Sequence, residues 1–247
     1  MPSSTRRGLP DADASVDALV AGVDGCRSGW VVATTPASGP GPILSIEVVA
    51  HIGEVFERVR AGELVAVGLD MPIGLPDAGR RACDDLTRAR LGPRRSSVFP
   101  TPPRPVLGSA DHAEALRRSR AIDGRGVSIQ AFNLLAKIAE VDAAIDPALT
   151  AAVVEAHPES AFAELAGAPL LTTKRTAEGR SARLHLLAEP FPGSAALLTT
   201  RAPGAAADDV LDAAAAAWSA RRWAAGTALV LGDGSVDAHG LPMRVAV

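Results

Sequence analysis

Residues 19–34, LVAGVDGCRSGWVVAT, decide the fold of this chain. They contain two apolar runs rich in valine, residues 19–24 and 29–34, on either side of a turn built from Asp-Gly and Ser-Gly. Such a pattern is typical of two antiparallel strands joined by a short connection. A Ser-Gly-Pro-Gly turn then leads to a third run, residues 43–50. The sequence therefore predicts a sheet that begins with three antiparallel strands.

The rest of the sequence alternates helices with further strands. Apolar residues at helical spacing predict a helix at residues 51–61, and the uninterrupted apolar run 64–70 is typical of a buried central strand. Farther along, the pattern predicts helices at residues 77–91, 110–120, 128–145, 158–165, 179–188 and 206–225, a strand at 151–156, and a closing hairpin of 227–231 with 243–247. Antiparallel strands followed by parallel crossovers predict an α/β fold with a ribonuclease H-like mixed β-sheet flanked by helices. We expect one domain over residues 19–247, with a helical insertion at about 76–150 after the fourth strand.

Five acids occupy positions from which their carboxylates can converge. Asp24, Asp70 and Glu155 lie at or near the ends of predicted buried strands. Asp209 and Asp212 lie three residues apart on the last long helix and so share one face of it. Clustered carboxylates repel one another and are tolerated mainly where a divalent cation neutralises them. Taken singly, each acid also fits a turn, a strand end or the first turn of a helix, so the joint pattern carries the prediction of a metal-dependent phosphoester chemistry.

A basic segment follows the Asp70 strand directly. Residues 80–104 contain seven arginines and two acids, and they end in ARLGPRRSSVFPTPPR. The planar guanidinium group suits phosphate because it can donate two hydrogen bonds at once. We predict substrate contacts from Arg88, Arg90, Arg94, Arg95, Ser96, Ser97 and Lys174. For the arginine segment, the alternative is a solvated helix face with a rigid Pro-rich loop. For Lys174 it is plain surface charge. His157, two residues after Glu155, could be a general acid or lie beside the metal, and its alternative is a structural role.

Composition limits the classes of function. With 247 residues, 47% hydrophobic and 21% charged, the chain has the composition of a globular protein with a sizeable core. The aromatic content of 3% argues against base-stacking platforms, and the net charge of −3 gives no overall attraction to nucleic acid. Cys26 and Cys83 are too few for a disulfide framework or a thiolate zinc site. We expect a cytoplasmic protein with no membrane span and no secretory signal. We also expect the lead-in at residues 1–18 to be disordered.

Six stretches of the chain together resemble the domain-of-unknown-function 429 family, whose members are described as predicted ribonuclease H-like nucleases. They are GVDGCRSGW, GLDMPIGLP, ARLGPRRSSVFPTPPR, SIQAFNLLAKIAEVD, EAHPESAF and DDVLDAAAAAW, and they run from about residue 20 to residue 225. The last stretch is similar to the late acidic helix of Holliday-junction resolvases. The resemblance implies a ribonuclease H-like sheet and metal ligation by Asp24, Asp70, Asp209 and Asp212. Glu155 belongs to the family's own EAHPE element.

The sequence thus predicts a divalent-metal-dependent nuclease or phosphodiesterase with all five acids in its catalytic centre. Two Mg²⁺ or Mn²⁺ ions about 4 Å apart would bridge the scissile phosphate, with Asp24 as the shared ligand. The expected substrate is a nucleic acid or a small phosphoester. Two alternatives remain open. One is a nucleotide-dependent phosphotransferase of the actin and sugar-kinase type, for which this chain is short. The other is a non-catalytic module that binds nucleic acid through its arginine face.

Overall fold

The computed structural model describes residues 18–247, so all but the last residue of the predicted lead-in at residues 1–18 lies outside the described residues. The described chain forms one mixed sheet. Its strands are β1 (Leu19–Cys26), β2 (Gly29–Pro36), β3 (Ser45–Val49), β4 (Leu64–Leu69), β5 (Val153–Ala156), β6 (Val230–Leu231) and β7 (Val245–Ala246), in the order β3-β2-β1-β4-β5-β7-β6. β1, β2 and β3 pair antiparallel, and β1, β4, β5 and β7 run parallel, with β6 antiparallel to β7. The prediction of an α/β fold with a mixed sheet is confirmed.

Helices cover both faces of the sheet. They are α1 (Ile52–Arg60), α2 (Ala82–Leu91), α3 (His112–Asp123), α4 (Ile129–Ala144), α5 (Pro158–Ala166), α6 (Ala177–Ala188), α7 (Ala195–Leu198) and α8 (Ala207–Ala224). Short 3-10 turns add Gly92–Ser97, Arg104–Val106 and Pro147–Ala151. Among residues 18–247, no helix has both the length and the apolar character needed to cross a membrane.

Two helices depart most clearly from the prediction. α2 begins at Ala82 instead of residue 77, because Gly79 has a φ of +83° and Arg81 is extended, with its side chain drawn into the interior. The four-residue α7 was not predicted. It is too short to display a helical hydrophobic pattern.

The alternation of side chains along β2 places one core on each face of the sheet. Trp30 and Val32 pack with residues of α1 and α4 on one face. Val31 and Ala33 pack with residues of α5, α6 and α8 on the other face. Because successive side chains of a strand point to opposite faces, a strand buried on both faces is apolar throughout. The molecule therefore has three layers, with α8 directly against the sheet.

Two glycines let α8 lie unusually close to the sheet. Gly22 of β1 and Gly68 of β4 are direct neighbours in the parallel pair. A Cβ atom added to Gly22 would lie 1.9 Å from the carbonyl oxygen of Ala213, and one added to Gly68 would lie 2.3 Å from that of Ala216. The helix backbone therefore rests on bare strand backbone at this point. Asp212, which directly precedes Ala213, is therefore held close to the central strands β1 and β4.

Candidate metal centre

Three carboxylates converge at the carboxyl ends of β1 and β4. Val23 of β1 is paired with Leu69 of β4, so Asp24 and Asp70 come next at the same edge, and the Asp70 N–H donates to Val23 O at 2.8 Å. Both acids follow a helix-facing glycine by two residues, so their side chains share the face on which α8 lies. Asp212 completes the group from α8, and one oxygen from each carboxylate lies within 4.8 Å of the others. The predicted convergence of Asp24, Asp70 and Asp212 is confirmed.

Burial and mutual repulsion make this group of acids electrostatically unfavourable on its own. Asp24 is 8% exposed and Asp212 is 2% exposed. Burial, followed by the charge of Asp212, raises the pKa of Asp70 to about 8. Burial and then the charge of Asp70 raise the pKa of Asp24 well above its usual value. Burial also raises the pKa of Asp212 to about 6, although Lys174 opposes the shift. A cation that bound here would relieve this repulsion.

The contacts of Asp212 leave one of its oxygens available to a cation. Its Oδ2 atom accepts a hydrogen bond from the ammonium group of Lys174. Its Oδ1 atom is buried and has no hydrogen-bond partner among residues 18–247. A buried acceptor without a partner is costly, and it is rare in proteins unless a water or an ion occupies the place. Oxygen-only ligand sets of this kind suit hard divalent cations such as Mg²⁺ and Mn²⁺.

Lys174, predicted as a phosphate-facing cation, lies on the acids themselves. It stands in the connection between α5 and α6. Besides its contact with Asp212, its Nζ atom lies 3.7 Å from Oδ2 of Asp208. Burial works against the charge on Lys174, but the nearby acids, above all Asp212, outweigh it and raise its pKa. The lysine therefore stays protonated and offsets one of the three negative charges.

The other two predicted acids lie outside the converging group. Asp209 accepts a hydrogen bond from the Ala206 N–H at 2.8 Å and so caps the start of α8. Glu155 is held by Arg81, whose Nη1 and Nη2 atoms donate to the two carboxylate oxygens at 2.7 and 2.8 Å. The Ile73 N–H donates to the same carboxylate at 2.9 Å. The catalytic roles predicted for Asp209 and Glu155, and metal ligation by Asp209, stay predictions.

Arg81 is a residue whose importance the sequence did not reveal. It is 1% exposed, lies between Glu155 and Asp84, and also donates to the carbonyl oxygens of Ile73 and Gly74. These contacts join the start of α2 to β5 and to the chain that follows Asp70. The sequence signal was an arginine at the start of a helix, where a basic residue is not expected to stabilise the helix dipole. Arg81 therefore stabilises the backbone that follows Asp70 and holds it next to β5.

The three acids open into a cavity of about 340 Å³. Four of the predicted substrate contacts line it, namely Arg94, Ser96, Ser97 and Lys174. The other three do not belong to its lining: Arg88 donates to the carbonyl oxygens of Arg95 and Val98, Arg90 pairs with Glu164, and Arg95 is exposed. The Nε atom of Arg94 is buried without a partner among the described residues. A cation with an unused donor at the cavity wall is suited to an anionic ligand.

His157 lies in the same cavity wall and is already engaged in local structure. Its Nδ1 atom accepts a hydrogen bond from the Ser160 N–H at 3.2 Å, which caps α5. Burial lowers the pKa of His157, so the ring stays neutral at physiological pH. With Nδ1 as the acceptor, the proton is on Nε2, which lies 3.5 Å from Ser97 O. The residue thus connects α5 to the arginine-rich turn.

The comparison with known families gives one result. The family model described as protein of unknown function, DUF429, matches residues 22–235 of this chain. The match covers most of β1, all of β2 to β6, the three converging acids and the residues that line the cavity, and the chain belongs to this family. No curated protein and no solved structure matches the chain.

Proposed function

We propose that this DUF429 protein is a divalent-metal-dependent phosphodiesterase or nuclease of the ribonuclease H-like type. Asp24, Asp70 and Asp212 would hold Mg²⁺ or Mn²⁺. The observation that carries the proposal is the convergence of three carboxylates within 4.8 Å together with the buried, unpartnered Oδ1 atom of Asp212. Both features are explained at once by a bound cation.

The arrangement of the strands supports the same proposal. The order β3-β2-β1-β4-β5, with the first three strands antiparallel and the next two parallel to β1, is the order expected for a ribonuclease H-like sheet. In that superfamily the metal ligands come from the first strand, the end of the fourth strand and a late helix. Asp24, Asp70 and Asp212 occupy those three elements. The likeness extends to the positions of the acids as well as to the topology.

The residues of the cavity would divide the work as follows. A bound divalent ion supplies Lewis-acid activation of a phosphoryl oxygen and of an attacking water. The acids orient that ion, and their burial keeps the local dielectric low, so that each charge acts strongly. Arg94 lines the cavity and has an Nε donor without a partner among the described residues, whereas the Ser97 hydroxyl already donates to Arg94 O at 2.8 Å. Arg81 and Glu155 hold the backbone at Ile73, three residues after Asp70, and so help to keep Asp70 in position.

The size of the cavity favours a short substrate. A volume of about 340 Å³ lies at the lower end of the range for ligand pockets, roughly 300–1,000 Å³. Arg88 and Arg90 are engaged within the protein, so Arg94 and Lys174 are the members of the predicted arginine and lysine set that line the cavity. We therefore propose a small phosphodiester or the end of a nucleic-acid strand as the substrate.

Hydrolysis assays with a matched pair of variants test this proposal. We expect Mn²⁺ to support cleavage of bis(p-nitrophenyl) phosphate or of short single-stranded oligonucleotides, and EDTA to abolish it. Asp212→Asn should lower kcat/KM by at least about 100-fold, since it alters a ligand that acts on the transition state through the ion. Asp77→Asn removes the same charge from an exposed loop outside the cavity and should leave the rate unchanged. Mn²⁺ binding without hydrolysis of either substrate would contradict the proposed activity.

A further inference from the structure

We propose that the centre is built for a single divalent ion, and that the ammonium group of Lys174 takes the place of a second one. This inference rests on the metal site of the proposed function and narrows it. It also replaces the two-ion arrangement expected from the sequence. Lys174 then acts as a positioning and charge-balancing residue of the centre instead of a peripheral phosphate contact.

The contacts of Asp212 provide the first argument. One of its oxygens accepts a hydrogen bond from the ammonium group of Lys174, and the other is buried and unpartnered among the described residues. The carboxylate therefore offers one free oxygen to one ion. If two ions were to share Asp212, the hydrogen bond from Lys174 would have to break, and the ammonium group would still lie near Asp208 and the second ion.

The charges that face the centre provide the second argument. When all three carboxylates are ionised, as they would be around a bound ion, they and the ammonium group carry a net charge of −2, which one divalent ion neutralises. The nearest ionisable groups around them cancel: the acids are Asp84, Glu155, Glu159 and Asp208, and the cations are Arg81, Arg94, Arg175 and Arg183. A second divalent ion would therefore leave an excess of two positive charges in a poorly solvated space, where unpaired charge is unfavourable.

Lys174 is held in place by the backbone on both sides of it. The buried Arg183 donates to the carbonyl oxygen of Thr172 at 3.2 Å. The carbonyl oxygen of Thr173 accepts hydrogen bonds from the backbone N–H and the hydroxyl of Thr176, at 3.1 and 3.0 Å. These hydrogen bonds fix the backbone around Lys174, and so they place its side chain next to the acids.

The choice of lysine also fits this role. The chain contains 23 arginines and two lysines, Lys137 and Lys174. A lysine ammonium is a compact point charge with three donors, whereas guanidinium is a flat fork that needs more room. An ammonium group can therefore stand where a small ion would stand, and it can share its remaining protons with a phosphate oxygen.

Counting bound Mn²⁺ tests the inference without reference to turnover. The full chain would be titrated with MnCl₂ and bound Mn²⁺ measured by calorimetry and by the EPR signal of the free ion, with Asp212→Asn as the background. We expect one ion per chain for the wild type and two for Lys174→Met, in which the ammonium group is lost. Lys137→Met is the matched control, because Lys137 donates to Gly29 O, lies over the Trp30 ring and, among the described residues, forms no ion pair with any of the three acids. It should bind one ion.

The outcomes separate this inference from the proposed function. Two ions in the wild type would overturn the single-ion centre but leave a metal-dependent hydrolase intact. One ion in a folded Lys174→Met protein would also overturn it, since the ammonium group would not be holding the second place. The wild-type count stands by itself if Lys174→Met fails to fold. No Mn²⁺ bound by the wild type would overturn both the inference and the proposed function.

Discussion

Replacing Gly22 by alanine tests how the fold assembles the centre. Gly22 lies under α8, and its added Cβ atom would lie 1.9 Å from Ala213 O and 2.0 Å from Ala217 N. Ordinary contacts begin at 3.4 Å, so helix and strand must separate by roughly 1.5 Å. Both obstructing atoms belong to the helix backbone, so no side-chain rotation relieves the clash. The same movement would carry Asp212 away from Asp24.

The expected size of the effect follows from this separation. Overpacking of a core costs about 1–3 kcal/mol, and rigid backbone neighbours put Gly22→Ala at the upper end, about 3 kcal/mol. For a chain of this length, that corresponds to a fall in Tm of roughly 6–12 °C. Displacement of one ligand by more than an ångström should also weaken Mn²⁺ binding by at least about 10-fold.

Thermal melts and Mn²⁺ titrations of two alanine variants measure both effects. Gly53→Ala is the control, because Gly53 lies in α1 and an added Cβ atom would have nothing within 4 Å. It should change stability by less than about 1 kcal/mol, in the stabilising direction. If Gly22→Ala melted within about 2 °C of the wild type and bound Mn²⁺ equally well, close contact between α8 and the sheet would not be what assembles the centre.

Three further predictions concern individual charges. The pKa of Asp70 in the folded, metal-free protein is about 8, above its unfolded value. The contribution of Asp70 to stability is therefore complete below about pH 4 and is lost as pH rises to about 8, by up to ~1.4 kcal/mol per pH unit. Chemical denaturation across this range should reveal that slope, and Mn²⁺ affinity should rise over the same range because binding displaces the proton. Asp70→Asn should reduce the slope, raise the Tm of the metal-free protein above about pH 8, and abolish the stabilisation by Mn²⁺, which reaches about 2.7 kcal/mol in the wild type at 100 times Kd. An equal Mn²⁺ shift in both proteins would contradict ligation by Asp70. Arg94→Ala should reduce the slope of log binding constant against log salt concentration by about 0.7–0.9 for an oligonucleotide, as measured by fluorescence anisotropy. Arg95→Ala should leave this slope unchanged. Equal slopes for Arg94→Ala and the wild type would show that Arg94 does not contact the substrate.

The strands were predictable because local chemistry and tertiary packing agree on them. β1 and β2 consist of apolar residues joined by turn residues, and the sheet buries both of their faces. Their predicted starts agree with the structure, and their predicted ends fall two residues short. The start of α2 was placed wrongly for a tertiary reason. Arg81 is extended because its guanidinium group pairs with Glu155, and that partner is 74 residues away in sequence.

The acids of the centre were predictable for a related reason. Asp24 and Asp70 follow strands that pair in parallel, and the register of such strands sets both residues at one edge. Asp212 was distinguished from Asp209 only by the packing of α8, since both acids lie on one face of the helix pattern. Lys174 could not be assigned, because it lies in a connection without periodic pattern and meets Asp212 across 38 residues of sequence.

The charge of the arginine-rich segment illustrates why local counting misleads about a site. Residues 80–104 carry an excess of arginine, yet much of it is paired with acids supplied from elsewhere: Arg81 with Glu155, Arg90 with Glu164 and Arg104 with Asp142. Folding therefore converts an apparent polycationic surface into ion pairs within the protein. The charged residues that line the cavity are six acids and four cations, so two negative charges remain to be balanced when all the acids are ionised. One divalent ion supplies that balance, so a chain with a net charge of −3 needs no broad basic face to bind a small phosphoester.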